Sequence, residues 1–497
     1  MTRHLAGFMA GVWCVLAIPA SARADEPRGP SEAALERMEA QLQAQQARIG
    51  ELEKQLTLAN SQDVEKVRTD ALREQIKSIL GEREFREQLI GSITQAGYDD
   101  GFFIKSSDDK YSMKVNGVFQ FRWTYYDQQR TNRWQLPGLQ RDDRTGFDVQ
   151  RMRIALNGKF GDNASYHLTI RADAPDGYNA RIHYAWANYR FADEFQVKAG
   201  IFRLASTHAQ MQSDSNFNMI DRPMTDAVFG LGVGTGVRFW GQLFGKRLDY
   251  YVDIVNSLGS PDNRTITTDP AELDNNPALV AKLVWHALGD KPGKEFKDDP
   301  DFDHHPSPAL DIGMHYAFNA DEYDSRTLRV PFPLVNGYRQ GGFGLTSTNG
   351  TQMNQFGLNA NFKLAGFSLI GEYMLRTIDP KRVYSTPYTP WWILTNDGST
   401  TAQHGAYVQA GYFLPIECLK DKLELVARVG GVSALASEQE GSWEYSAGAN
   451  YYFDKQRCKL SADVTKVYEA PISSSTSSLA NVNDNALVFR VQFQVAF

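Results

Sequence analysis

From Lys110 to Phe497 the side chains alternate between apolar and polar with a period of two, and this constrains the fold more than any other feature of the chain. In the stretch 111–125, Tyr111, Met113, Val115, Phe119, Phe121, Trp123 and Tyr125 hold odd positions, while Lys114, Asn116, Gln120 and Arg122 hold even ones. Successive side chains of a strand point to opposite faces, so each such stretch carries one apolar and one polar face. Sixteen stretches show the pattern: 110–127, 147–160, 164–174, 180–191, 195–204, 232–244, 248–257, 278–288, 308–319, 352–364, 367–378, 403–414, 422–433, 442–453, 458–468 and 485–497. A tilted strand needs about 9–11 residues to cross a bilayer, and most of these are long enough. The links between them alternate in length. Gly161-Asp162-Asn163, Ala192-Asp193-Glu194, Gly245-Lys246-Arg247 and Ala365-Gly366 are short, whereas 128–146, 205–231, 258–277, 320–351 and 379–402 are long. Short turns on one rim and long loops on the other belong to an outer-membrane barrel. The expected fold is therefore all-β, a 16-stranded antiparallel transmembrane β-barrel. One link, 289–307, should be short and is not, which marks an insertion or a misplaced strand end.

The N-terminus explains how such a chain leaves the cytoplasm. Arg3 and His4 precede an apolar run from Leu5 to Ile18, and Ala22 and Ala24 form an A-x-A site before Asp25. Residues 1–24 read as a secretory signal peptide. Residues 25–100 read as a periplasmic helical stalk. Leu35, Leu42, Ile49 and Leu56 recur every seven residues, with Met38, Gln45, Leu52 and Ala59 three residues after each. That is the a/d seam of an N-terminal α-helical coiled coil, which a lone helix cannot bury, so the chain is expected to associate with copies of itself. Residues 63–94 read as a less regular helix, and Gly97 and Gly101 end the stalk. The barrel domain is expected over 101–497.

Face assignment then identifies the lumen. The last strand, ALVFRVQFQVAF, puts Leu487, Phe489, Val491, Phe493, Val495 and Phe497 on the lipid side and Arg490, Gln492 and Gln494 inside. An arginine on the lipid face costs about 2–4 kcal/mol at the midplane. By the same parity Lys114, Arg122, Arg151, Arg153, Arg171 and Arg428 point inward, the first five on one wall with Asp148 and Asp173. Rings of charged side chains set ion selectivity in pores. The long 203–232 segment, with His208, Asp214, Asp221, Arg222 and Asp226, is the candidate for an inward-folding constriction. A net charge of −7 gives no general attraction to nucleic acid, and the barrel region has no overall cationic excess, so any anion preference must be local.

The stretch QVKAGIFRLASTHAQMQSDSNFNMIDRP resembles the signature region of the phosphate-selective porin family, porins O and P. VGTGVRFWGQLFGKRLDYYVDIVNS, SLIGEYML, AYVQAGYFLP and AGANYYFDK are similar to further segments of that family, in the same order, over roughly 105–497. The resemblance implies a trimer of sixteen-stranded barrels whose pore is lined by anion-binding Arg and Lys, and places Arg203 and Arg222 at basic positions. Two departures stand out: Ala205 lies where a Pro is common, and His208 near where an acid is common.

Other motifs carry less. GLGVGTG at 230–236 opens a strand, not a helix, and lacks the spacing of a dinucleotide loop. DDPDFDHH at 298–305 lacks the Gly and terminal Glu of a calcium loop and reads as a solvated turn, with no metal assigned. No nucleophile motif joins a Ser and a His, so no enzyme activity and no cofactor is expected. Cys418 and Cys458 fall on one rim two strands apart, and one disulfide between them requires the 415–421 turn to close a gap of about 10 Å. The expected function is an outer-membrane porin of a Gram-negative bacterium, a weakly selective or general diffusion pore for small hydrophilic solutes, with an anion or phosphate preference as the narrower reading that the lumen arginines allow. Its partners are outer-membrane lipid, its own copies as a homotrimer and small anions. The alternatives are a sugar channel, for which Tyr126, Trp240 and Tyr452 are too scattered to form an aromatic slide, and a structural tether through the coiled coil to the cell wall.

Overall fold

The computed structural model describes residues 32–59, 71, 74, 94–129, 143–174, 177–256, 258, 276–321, 346–347, 351–380, 383–384, 401–433, 441–470 and 485–497. The signal-peptide reading lies outside these residues, as does nearly all of 63–94. The chain divides into two units, 1–91 and 92–497. In the first, helix α1 (Glu32–Ala59) covers the heptad segment. Leu42, Ile49 and Leu52 of the seam are exposed on this single chain, at 56%, 55% and 58%. The side chains of Leu35, Met38 and Leu56 lie outside the described set.

The second unit starts with a hairpin, β1 (Gln95–Tyr98) and β2 (Phe102–Lys105), that takes in both Gly97 and Gly101. The barrel follows as β3 (Tyr111–Gln129), β4 (Arg144–Phe160), β5 (Ala164–Arg171), β6 (Arg181–Ala192), β7 (Phe195–Arg203), β8 (Val233–Leu243), β9 (Leu248–Val255), β10 (Ala278–Leu288) and β11 (Ala309–Asp321). A two-residue strand β12 (Thr346–Ser347) precedes β13 (Thr351–Leu364) and β14 (Phe367–Pro380), and β15 (Val383–Tyr384) pairs with β12 apart from the barrel. Then come β16 (Thr401–Phe413), β17 (Leu423–Val432), β18 (Ser442–Asp454), β19 (Cys458–Tyr468) and β20 (Asn485–Ala496). Each barrel strand pairs antiparallel with the next, and β20 pairs with β3, so sixteen strands close into a barrel without a free edge. Sequence-derived and observed strand ends agree within a few residues throughout.

Closure at the C-terminus depends on one glycine. Gly117 and Phe497 exchange both backbone hydrogen bonds, at 2.8 and 3.0 Å, and a Cβ on residue 117 would overlap the Phe497 ring. Beyond that point β3 stays paired with β4 on one side, and β2 replaces β20 on the other from Ser112 to Val115. The Phe102 and Phe497 rings meet edge-on at 5.9 Å, sealing the seam where β20 ends. The Ala365-Gly366 turn has positive φ at both residues, the geometry that matches the twist of a tight hairpin.

Among the described residues no helix is long and apolar enough to cross a membrane, and the large exposed apolar side chains belong mostly to the barrel strands. Their outer face exposes Phe119, Phe121, Ile154, Leu283, Met314, Leu358, Leu425 and Phe493. Aromatics mark both edges of this band, with Tyr111, Phe160, Phe191, Phe244 and Phe453 near the short turns and Phe147, Trp443, Tyr445 and Tyr468 near the long loops. The inner face is polar, and much of it is buried. Gln120, Arg122, His315, Gln355, Arg376, Gln409, Arg428 and Arg490 are each at most 5% exposed. Something fills the lumen over them, and two segments do so.

Candidate pore constriction

The first is the 204–232 link between β7 and β8, which folds into the barrel. It holds two short helices, α2 (His208–Met211), capped by the Thr207 hydroxyl accepting from the Gln210 amide, and α3 (Met224–Phe229). Its roots and α3 are apolar, and they find apolar patches on the otherwise polar lumen wall. Met224, Val228 and Phe229 pack with Tyr126, Met374, Val432, Val467 and Val488. Leu204 and Leu231 pack with Phe202, Val255, Val280, Ala317 and Met353. Tyr126 thus serves the loop anchor and is 1% exposed.

Between these apolar anchors the loop is held by carboxylates. Asp221 accepts from both terminal nitrogens of Arg122 at 2.9 Å, from Arg490 at 2.7 Å and from Arg151 at 3.4 Å. Asp214 meets Arg222 at 2.8 Å, Arg151 at 3.8 Å, and Arg153 in a short contact. Burial alone would raise both carboxyls. The guanidinium groups overcome it, Arg122, Arg490 and Arg151 for Asp221 and Arg222, Arg153 and Arg151 for Asp214, and hold both below the usual carboxylate range. The backbone of the loop is used as well, since Arg428 donates to the Asp221 carbonyl at 2.9 Å and Glu444 accepts from the Met224 amide at 2.6 Å.

The second segment is the 289–308 link, which is a true insertion. Lys363 gathers it by donating to the carbonyls of Glu295, Asp298 and Pro300 at 2.7, 2.6 and 2.9 Å. The 298–305 stretch is therefore not the solvated turn expected from its composition. Asp299 and Asp301 are 3% and 0% exposed: Asp301 accepts from the backbone amide of Gly366 in the β13–β14 turn at 2.8 Å, and Asp299 from Gln212 of the inward loop at 3.1 Å. The two segments meet there, with the Asp299 amide donating to Asn216 and the Asn216 side chain donating to Lys297, both at 3.0 Å.

Together they cover the lumen wall of β10–β20. The wall of β5–β9 is less completely covered: among the described residues His167, Arg171, Tyr184, Trp186, Lys198, Trp240 and Tyr251 on it are half-buried, while Thr169, Asn188, Gln196, Arg238, Asp249 and Asp253 beside them are buried. The expected basic residues distribute accordingly. Arg122 and Arg151 line no passage, being 4% and 5% exposed and spent on the loop carboxylates. Arg153 reaches the gap but is tied to Asp173 and Asp214. Arg203 donates to the Met211 carbonyl at 3.2 Å and the Tyr184 hydroxyl at 2.8 Å, and Arg222 to the Ala209 carbonyl at 3.0 Å. Lys114 pairs across to Phe103 of β2, below the level where β20 closes the barrel, and so lies outside the constriction. Arg171 does face the gap. Register sets it directly opposite Arg153 on one side and Arg181 on the other, a row of three arginines across β4, β5 and β6. Arg181 was not among the expected residues, although its place at the start of β6 opposite Arg171 follows once the register is known. Lys198 was also missed; the alternation Gln196, Lys198, Gly200 on β7 was its only sequence signal.

The disulfide is not formed. Cys418 and Cys458 are free, one exposed in the turn before β17 and one half-buried at the start of β19, with β18 between those strands.

Residues 119–268 match the family model described as "Phosphate-selective porin O and P", which bears out the resemblance read from the sequence over that stretch. An uncharacterized protein of Aquifex aeolicus (strain VF5) is 24% identical over 202 residues, covering 36% of this chain. The match takes in 48% of that protein, so the chain spans about half the length of the curated relative. Among solved structures, an anion-selective porin from Comamonas acidovorans is similar at a TM-score of 0.49 and 11% identity, covering 78% of this chain and 100% of that one. The outer-membrane channel DcaP of Acinetobacter baumannii is similar at 0.47 and 15%, covering 80% and 100%.

Proposed function

We propose that this porin-type barrel of the Gram-negative outer membrane passes small hydrophilic solutes through the gap along β5–β9, with a preference for anions, and that it works as a homotrimer. The observation that carries the anion preference is the arginine row. Like charges directly opposite on adjacent strands are destabilising, by a few tenths of a kcal/mol to about 1 kcal/mol per pair. Arg171 and Arg181 stand opposite one another at the edge of the less covered wall among the described residues, with Arg153 next in the row on its carboxylates Asp173 and Asp214. A cationic rim of this kind raises the local concentration of anions and rejects cations. Solute passage needs contacts weak enough to release, and the row offers successive ones.

The test is the reversal potential of the purified protein in a planar bilayer under a potassium chloride gradient. The wild type is expected to reverse on the anion side. Arg171→Gln with Arg181→Gln, which spares the residues holding the loop, should move it toward zero. Cation-side reversal in the wild type would sink the anion reading, and phosphate added at millimolar concentration reads directly whether that anion dwells in the pore.

A further inference from the structure

We propose that Lys198, held between the indoles of Trp186 and Trp240, forms a subsite for planar organic anions, a carboxylate on an apolar ring, in preference to inorganic phosphate. The proposal rests on the channel reading and names the solute class that the accessible wall discriminates.

Five consecutive strands contribute to it. Register places His167 opposite Trp186, Gln196 opposite Trp240, and Trp240 opposite Tyr251, so the aromatic groups share the lumen face with Lys198. The His167 and Trp186 rings are stacked at 5.2 Å with planes 11° apart, and Trp240 and Tyr251 at 6.2 Å and 6°. The Lys198 ammonium bridges the two pairs, 4.1 Å from the Trp186 ring centre and 5.6 Å from that of Trp240. Cation–π attraction to the two rings positions the amine between them.

Among the described residues Lys198 has no carboxylate and no hydrogen-bond acceptor. The nearest acid across the sheet is already taken: Arg238, directly opposite Lys198, binds Asp253 through two nitrogens at 2.5 and 2.8 Å. The Lys198 amine thus stands half-buried with aromatic surface on both sides. A bound anion would complete it.

The kind of anion follows from what the site lacks. Phosphate is strongly hydrated and gives up water only to several converging N–H donors, typically paired guanidinium forks. Here the Trp240 indole N–H is spent on Asn188 at 2.8 Å, and Arg238 on Asp253. One ammonium remains, and the neighbouring rings replace water with apolar surface. A carboxylate needs one cationic contact, and a planar ring attached to it covers the half-buried aromatic surface of Trp240 and Tyr251 and so recovers the loss of hydration.

Intrinsic tryptophan fluorescence of the detergent-solubilised full-length protein tests this with benzoate, acetate and phosphate at constant ionic strength. Benzoate should change the emission saturably in the millimolar range, acetate more weakly, and phosphate not at all. Lys198→Met should weaken benzoate by at least about ten-fold, and Lys198→Arg should retain it. Phosphate binding as tightly as benzoate, or benzoate binding unchanged in Lys198→Met, would overturn the proposal. So would a wild type that ignores benzoate, a result independent of whether any variant folds. Bilayer conductance separates the two readings. Benzoate binding that depends on Lys198 in a protein that does not conduct sustains the site and removes the channel; anion conduction without benzoate binding does the reverse.

Discussion

Asp221 shows how single residues divide the lumen into lock and passage. Three arginines from three strands converge on one buried carboxylate, and removing one member of such a group leaves uncompensated charge, at a cost of about 3–5 kcal/mol. Asp221→Asn is therefore expected to release the 204–232 loop, read as larger and noisier single-channel conductance, while the β-barrel itself survives. The pH dependence has a definite sign. Asp221 and Asp214 titrate below the usual carboxylate value of about 3.9, so their contribution is present above that value and is lost only as pH falls through the lower folded one. Release of the Asp214 and Asp221 contacts should leave conductance flat from neutral pH down to about 4; burial raises Asp226 of the same loop, so an opening step nearer pH 5 that persists in Asp226→Asn would contradict the Asp214–Asp221 lock. Part of this was legible in advance. Parity alone put Arg122, Arg151 and Arg490 inside, yet parity cannot separate an arginine that meets solute from one that meets a loop, because both are polar residues on the same face.

Among the elements, the 289–308 insertion departs most from a simple barrel. The irregular spacing of the links located it, and its composition suggested a solvated turn. Its backbone carbonyls instead find partners that no local pattern announces, above all the Lys363 ammonium from β13 and the Asn216 amide from the other inward segment. Replacing 290–307 with a two-residue Asn-Gly turn should leave a folded barrel, since the flanking strands keep their register. The loop would lose its Asp299 contacts to Gln212 and His208, and single-channel conductance should rise. Unchanged conductance would mean that the insertion does not limit the pore. The β5–β9 wall makes the complementary point. Trp240 looked isolated in the sequence, and its partners Trp186 and Tyr251 become neighbours only through strand pairing across turns.

At the scale of the whole molecule, we propose that the heptad face of α1 is covered by further copies of the chain. Leu42, Ile49 and Leu52 are exposed on one chain, as a coiled-coil strand requires before assembly. Two roles for this segment make different demands. If it only gathers barrels into a trimer, deleting 25–95 while keeping residues 1–24 should leave the conductance of each barrel unchanged and loosen the oligomer, measured by native electrophoresis. If it tethers the membrane to the cell wall, the same deletion should raise detergent sensitivity of cells even where conductance is normal.

The sixteen strands, their faces and the alternation of short and long links were determined by the sequence itself, because a membrane-spanning strand writes its environment residue by residue: lipid on one side, water on the other. Even Phe497 could be placed from its own parity. What occupies the lumen was decided only by tertiary structure. The loop and the insertion are joined to the wall by contacts between residues far apart in the chain, Asp221 with Arg490 and Asn216 with Lys297 among them. A period of two records which side a residue faces and nothing about what it meets there, so the closed half of the pore, and the Lys198 wall it leaves accessible, appear only when the barrel closes.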